Sequence, residues 1–357
     1  MEKSSGAQRR NFRDITRPMR KRVYIAYTGG TIGMRRTRDG YSPEPGSLQR
    51  QMEAMPELRH DSMPLVTINE YAPLLDSSNM TPREWVKIAH DLADHYDDFD
   101  GFLVLHGTDT MAYTASALPF MLNGLAKPVI VTGSQIPLCE VRNDARENLI
   151  TSLLIASSYD VPEVCLYFGG KLLRGCRAVK VSADGFAAFD SPNFPPLGLV
   201  GIDIEINHSF VRPVEDMRPR LSVQDFGSPV VSALRLFPGI SPELVRNVLR
   251  PPLQGLVLEA YGVGNGPDAN IEFLKALSEA TSRGVVIVDC TQCLQGTVNL
   301  TEYTAGSALA RAGVISGFDM TAEAALAKLY YLLSRGESPD EVKRAMQDDL
   351  RGEMTRR

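Results

Sequence analysis

Short apolar runs alternate with amphipathic helical stretches along most of this chain, and that alternation limits the possible folds more than any other feature. Val23–Tyr27 has the pattern of a buried strand and ends at Thr28-Gly29-Gly30. Thr81-Pro82-Arg83-Glu84 is a capping box with proline at the first helical position. It predicts a helix to about Tyr96, with Trp85, Ile88, Ala89 and Leu92 on one stripe. Gly101–His106 reads as a second strand, followed by a helix from about Met111. Val129–Thr132 reads as a third strand, Asp144–Ser158 as a helix and Val164–Phe168 as a fourth strand. Strands and helices at this spacing imply right-handed crossovers, so the expected class is α/β with a mostly parallel sheet flanked by helices.

From Gly198 to Pro229 prolines, glycines and mixed charges replace the periodicity, which marks a linker at 209–228. Beyond it, strands near Val230–Leu236, Leu256–Glu259 and Val285–Asp289 alternate with helices near Pro242–Leu249, Ile271–Thr281, Tyr303–Ala312 and Thr321–Ser334. A larger N-terminal α/β domain over 21–208 and a smaller C-terminal α/β domain over 229–357 are therefore expected. The length of 357 residues agrees, at ~150 residues per domain.

Charge is uneven. Residues 1–22 hold eight basic and two acidic side chains, a net +6, so the remainder carries −11 of the formal total of −5. An acidic body argues against a nucleic-acid partner, whose phosphates need a basic face. Residues 1–20 are expected to form a disordered basic leader, too poor in apolar side chains to offset the entropy of ordering. They lack the apolar stretch of a secretory signal, and Met19 stands just before the first strand as an alternative start. Runs such as Val285–Val288 fall far short of the ~20 residues that a bilayer needs, so no membrane partner is expected. Five cysteines in such a chain read as free thiols of a reducing compartment. Cys290 and Cys293 form a C-x-x-C, but Cys139, Cys165 and Cys176 do not supply the second pair of a zinc ribbon. His90 and His95 stand five apart, not the four that would set both on one helical face, so no metal is expected.

In open α/β sheets ligands bind beyond the carboxyl ends of strands. Two polar turns sit there: Thr28-Gly29-Gly30-Thr31-Ile32-Gly33 and His106-Gly107-Thr108-Asp109-Thr110. The first lacks G-x-G-x-x-G spacing, no G-K-[ST] follows, and Gly262-Val263-Gly264-Asn265-Gly266 runs into Pro267, so phosphate binding fails. Acyl transfer fits better. Two glycines before Thr31 let backbone amides approach a developing oxyanion. A threonine hydroxyl serves as nucleophile once a base removes its proton. The bland alternative is a pair of tight strand-to-helix connections.

Ala26-Tyr27-Thr28-Gly29-Gly30-Thr31-Ile32-Gly33 and Leu105-His106-Gly107-Thr108-Asp109-Thr110-Met111-Ala112 resemble the two signature segments of the bacterial-type L-asparaginase family, in order and at its separation. The likeness runs from about Arg22 to near the C-terminus. Asp76-Ser77-Ser78-Asn79-Met80 resembles the cytoplasmic type I branch more than the secreted type II branch. The resemblance implies hydrolysis of L-asparagine to L-aspartate and ammonia through a threonine nucleophile and a β-aspartyl-enzyme intermediate. It implies a cytoplasmic homo-oligomer, a dimer or a dimer of dimers, without cofactor or metal.

Carried over one residue at a time, Thr31 matches the nucleophilic threonine, and Tyr41 the tyrosine on the loop that closes over the site. Thr108 and Asp109 match the second motif, and Lys180 the lysine that completes a Thr–Lys–Asp set. Ser77, with Asp76 beside it, matches the serine that holds the substrate α-carboxylate, and Asp109 is expected to grip the α-ammonium. Ser134 lies where the backbone meets the substrate amide, and Asn265 matches an asparagine that reaches a neighbouring subunit's site.

Two questions stay open at this level. A base needs a free lone pair, whereas a lysine beside an aspartate favours the charged ammonium, so Lys180 is either the base or an electrostatic stabiliser of Thr108. Which threonine attacks first is the other. Rival readings are a related amidase, either glutaminase-type or the tRNA-linked amidase subunit, and a non-catalytic amino-acid-binding module. The tRNA-linked subunit carries an extra N-terminal domain, for which a first strand near Val23 leaves no room. Some type I relatives bind a second asparagine at an effector site. Cys293 matches that site's cysteine, but Val179 stands at its threonine position and Glu259 at its arginine position. An arginine grips a carboxylate and a glutamate repels it, so loss of this effector mode is expected.

Overall fold

Each apolar run of the N-terminal half becomes a strand buried on both faces, as a parallel sheet covered by helices demands. In the computed structural model, which describes residues 20–38, 40–213 and 220–355, these strands are β1 (Arg22–Gly29), β2 (Leu65–Leu75), β3 (Gly101–Leu105), β4 (Val129–Thr132), β5 (Val164–Phe168), β6 (Lys171–Arg174), β7 (Gly198–Val200) and β8 (Ile204–Ile206). They form one sheet in the order β8-β7-β6-β5-β4-β3-β1-β2. Neighbours from β2 to β5 are parallel, and β6, β7 and β8 add an antiparallel edge. The helices are α1 (Ser47–Glu53), α2 (Pro82–Asp94), α3 (Met111–Met121) and α4 (Ala145–Ser158). One apolar layer joins Tyr24, Phe102 and Val104 to α2 and α3, and the other joins Ile25 and Leu103 to Leu149 and Leu153 of α4.

The C-terminal domain is a second, wholly parallel sheet of β9 (Val231–Arg235), β10 (Gly255–Ala260), β11 (Val286–Thr291) and β12 (Ile315–Ser316), in that order. With it go α5 (Pro242–Val248), α6 (Ile271–Ser282), α7 (Thr304–Arg311), α8 (Ala322–Leu333) and α9 (Pro339–Met346). The two-domain α/β class expected from the sequence is the one found. The domains share a core, in which Phe120 of α3 stacks on Tyr331 of α8 at 5.6 Å between ring centroids. The last described residues bind back to the first domain: Arg351 Nε donates to Pro119 O at 2.8 Å, and Arg177 Nε to Gly352 O at 2.7 Å.

The stretch read as a linker is docked on both sides of residues 214–219. Arg212 N donates to Glu163 Oε1 at 2.6 Å, Ser222–Val223 pair antiparallel with Leu122–Asn123, and Phe226 packs edge-on to Trp85. The leader expected over 1–20 lies outside the described residues, apart from Arg20. Among the described residues no helix is long and apolar enough to cross a membrane.

Strand order positions the site. From β1 the chain passes to β2 on one side and then crosses to β3 on the other, and the helices that follow β1 and β3, α1 and α3, pack on opposite faces of the sheet. This topological switch point opens a crevice at the strands' carboxyl ends.

Candidate active site

Tyr27 pairs with Leu105, so β1 and β3 deliver their threonine turns side by side. Glycine is what allows the turns to touch. Gly30 has φ +86°, and a Cβ there would stand 2.4 Å from Gly107 N. A Cβ on Gly107 would stand 2.5 Å from Ser77 Oγ, so three segments meet without intervening side chains. Thr110 Oγ1 donates to Ser77 O at 2.8 Å, and Asp76 Oδ1 accepts from Ser78 N at 3.0 Å, which fixes the third segment.

His106 braces the second turn from beneath. It is fully buried, with Nδ1 2.7 Å from Gly107 O and Nε2 2.8 Å from Thr114 Oγ1. Trp85 Nε1 donates to the same Thr114 oxygen at 3.0 Å, so the Thr114 hydrogen goes to His106 Nε2 and the histidine hydrogen, on Nδ1, goes to Gly107 O. Burial pushes His106 down to about 4, which keeps it neutral. With both ring nitrogens engaged, it holds the Gly107 carbonyl in place under the turn.

Thr31, Asp76, Ser77, Thr108, Asp109 and Lys180 all line one cavity of about 230 Å³, together with Gly30, Met34, Gly107, Gln135 and Ala183. Lys180 Nζ lies 3.0 Å from Thr108 Oγ1 and 2.7 Å from Asp109 Oδ1, while Thr108 Oγ1 donates to Gln135 Oε1 at 3.1 Å. Thr108 is buried, whereas the Asp109 carboxylate is largely exposed to the cavity mouth. Two larger cavities, of about 260 Å³ beside Arg174 and about 340 Å³ beside Arg146, contain no hydroxyl–lysine–carboxylate set. Chemistry, rather than volume, selects the site. Among the described residues no group of three or more His, Cys, Asp and Glu could hold a metal ion.

Three sequence-predicted residues lie outside the cavity lining. Ser134 is buried and its hydroxyl donates to Ile136 O at 2.7 Å. Tyr41 sits on a hairpin of Met34–Thr37 and Gly40–Pro43, where its hydroxyl donates to Glu140 Oε1 at 2.8 Å. That bond raises the Tyr41 phenol above its ordinary value. Asn265 belongs to the turn after β10, in the other domain, and its Oδ1 is buried with no partner among the described residues. At the positions matched to an effector site, Val179 is half-buried, Cys293 is exposed, and Glu259 accepts from Arg235 Nη1 at 3.3 Å.

Comparison with known proteins adds an independent line. Residues 22–212 match the family described as Asparaginase, N-terminal, and residues 230–346 match the Glutaminase/Asparaginase C-terminal domain. The chain belongs to the asparaginase family. L-asparaginase 1 of Escherichia coli (strain K12) is 52% identical over 336 residues, which cover 94% of this chain and 98% of that protein. The crystal structure of L-asparaginase I from Vibrio cholerae O1 biovar eltor is 51% identical, covers 94% of this chain and 99% of its own, and superposes with a TM-score of 0.87. The thermostable L-asparaginase from Thermococcus kodakarensis is 33% identical, covers 94% of this chain and 100% of its own, and superposes with a TM-score of 0.85. Two residues of this asparaginase-family site were not picked out from the sequence. Gln135 follows β4 much as Thr31 and Thr108 follow their strands, and that position was the available signal. His106 had none, because its role depends on Trp85 and Thr114 from two helices.

Proposed function

We propose that the chain is an L-asparaginase that hydrolyses L-asparagine to L-aspartate and ammonia. The observation that carries the reading is the shared cavity, in which Thr31 faces the same space as the Thr108–Lys180–Asp109 set. Thr31 Oγ attacks the side-chain amide carbon and its proton passes towards the leaving nitrogen. Backbone N–H groups of the two glycine turns stabilise the oxyanion. The C–N bond breaks, ammonia departs with the pair, and water then cleaves the β-aspartyl ester to restore Thr31.

Asp109 binds the substrate α-ammonium through its exposed carboxylate, and Ser77 with Asp76 receives the α-carboxylate. Ser134 contributes its backbone, because its hydroxyl is engaged with Ile136 O. Tyr41 leaves Glu140 and closes over the bound substrate with its hairpin. Residues 21–208 form the catalytic domain and 229–357 the second domain, with 209–228 between them. The chain acts as a cytoplasmic homo-oligomer, a dimer or a dimer of dimers, in which Asn265 reaches a neighbour's site. An unpartnered Asn265 Oδ1 in the single chain and five unpaired cysteines are consistent with that.

The test is ammonia release measured in parallel with L-asparagine, L-glutamine and buffer. Anchoring glutamine by its α-groups displaces its amide by one methylene, roughly 1 Å, which costs about 10²-fold in kcat/KM. Comparable kcat/KM for the two amides overturns the specificity. No release from either amide overturns the hydrolase and leaves an amino-acid-binding module.

A further inference from the structure

We infer that Gln135 is a positioning residue that sets where the Thr108 proton points and ties the segment after Lys180 to the catalytic turn. The inference rests on the asparaginase reading above. A hydroxyl has one hydrogen and two lone pairs. Lys180 Nζ donates to Thr108 Oγ1 at 3.0 Å, so the one hydrogen of Thr108 goes to Gln135 Oε1 at 3.1 Å. One lone pair of Thr108 then remains for the cavity.

The direction of the Gln135 amide is not arbitrary. Its Nε2 donates to two carbonyls, Ala183 O at 3.1 Å and Gly185 O at 3.2 Å. Turned end for end, the amide would set its oxygen against both of those oxygens and its NH2 towards Thr108. Only the observed orientation satisfies all three bonds, and it makes Oε1 an obligatory acceptor for Thr108. The backbone under the side chain is equally fixed: Gln135 N and Ile136 N both donate to the Asp144 carboxylate, at 2.9 and 3.0 Å. An amide oxygen is too weak a base to take the proton, so Gln135 directs the hydroxyl without acting in proton transfer. Through the Ala183 and Gly185 carbonyls the same side chain holds the loop that follows Lys180 against the Thr108 turn.

Two variants separate the functions. Gln135→Met removes the acceptor and both donors, whereas Gln135→Glu keeps an acceptor while ionised and loses the donors. Gln135→Met is expected to lower kcat on L-asparagine by about 10²-fold, the cost of a group misdirected by roughly an ångström, with KM within threefold of wild type. Gln135→Glu is expected to recover at least tenfold of that loss at neutral pH. Its kcat should fall as pH drops through the new carboxyl's titration, because a protonated carboxyl donates to Thr108 instead of accepting. Hydrogen exchange of the peptide spanning 181–190 should quicken in both variants. A wild-type kcat in Gln135→Met, or equal kcat losses in both variants with wild-type pH profiles, would overturn the inference. If the wild-type protein releases no ammonia from asparagine, the functional reading fails instead. Hydrogen exchange then decides the tether by itself, and unchanged exchange refutes it.

Discussion

Asp289 offers the largest effect that the structure allows to be worked out in advance. It lies on β11 with no exposed surface, and neither carboxylate oxygen has a partner among the described residues. A Cβ on Gly264 would stand 3.0 Å from its Oδ2, so the carboxyl sits directly beneath the turn that carries Asn265. Burial pushes it up to about 8 from an ordinary value of 3.8. Between those two values the folded protein holds a proton that the unfolded chain has released. Stability is therefore greatest below the unfolded value and is lost as pH rises towards the folded one, at about 1.4 kcal/mol per pH unit. Asparagine cannot ionise and carries no such slope. From pH 5 to pH 7.5 the unfolding free energy of Asp289→Asn, minus that of wild type, should rise by roughly 3 kcal/mol. The variant's amide carries two buried N–H donors where the neutral acid has one O–H, and the extra unpaired donor costs about 1–3 kcal/mol at every pH. The wild-type acid's protonation cost reaches that size about 1–2 pH units above its ordinary value of 3.8, so the two stability curves cross at roughly pH 4.5–6. Urea denaturation followed by circular dichroism, at several pH values and one fixed protomer concentration, measures the difference. Curves that stay parallel within about 0.5 kcal/mol would refute the premise that Asp289 is buried as a neutral acid.

Two further outcomes bear on the site. Gly107→Ala puts a Cβ 2.5 Å from Ser77 Oγ, so the Gly107 turn and the Ser77 segment must part; kcat/KM for asparagine should fall at least about 10²-fold, and steady-state kinetics of a folded variant near wild type would contradict this. Glu259 is paired with Arg235 where an effector carboxylate would need a cation, so asparagine dependence should be hyperbolic. A Hill coefficient well above one in a homogeneous oligomer would refute the loss of that effector mode.

The sheet was legible because fully buried parallel strands are continuous apolar runs, as Gly101–Leu105 and Val164–Phe168 are. β2 was missed for the converse reason. It is the edge strand, only Tyr71 of its eleven residues is buried, and Asn69, Glu70 and Pro73 interrupt its apolar side chains. α1 and β6 were missed because they are short, seven and four residues, and follow glycines with positive φ rather than polar caps. α9 carries a readable capping box, Ser338 with Glu341, but only Val342 and Met346 of its eight residues are buried, too few to mark an apolar stripe. In the site, Thr31, Thr108 and Asp109 stood out because hydroxyls and a carboxylate at glycine-rich strand ends have little packing use. Lys180 could be placed only by family likeness, since its partners lie 71 and 72 residues away in sequence. Gln135 was hidden by ordinariness, a polar residue in a loop whose three bonds exist only after the fold has formed.

The nucleophile is tested most directly by purified wild type, Thr31→Ala, Thr31→Ser and Thr108→Ala, compared for ammonia release from saturating L-asparagine after circular dichroism has shown each to be folded. Thr31→Ala and Thr108→Ala are each expected to turn over at least ~10³-fold more slowly than wild type, because each lacks a group that acts in the transition state. Thr31→Ser keeps the hydroxyl and should retain part of the activity. Hydrolysis by Thr31→Ala at a near-native rate would contradict the assignment of Thr31 as nucleophile.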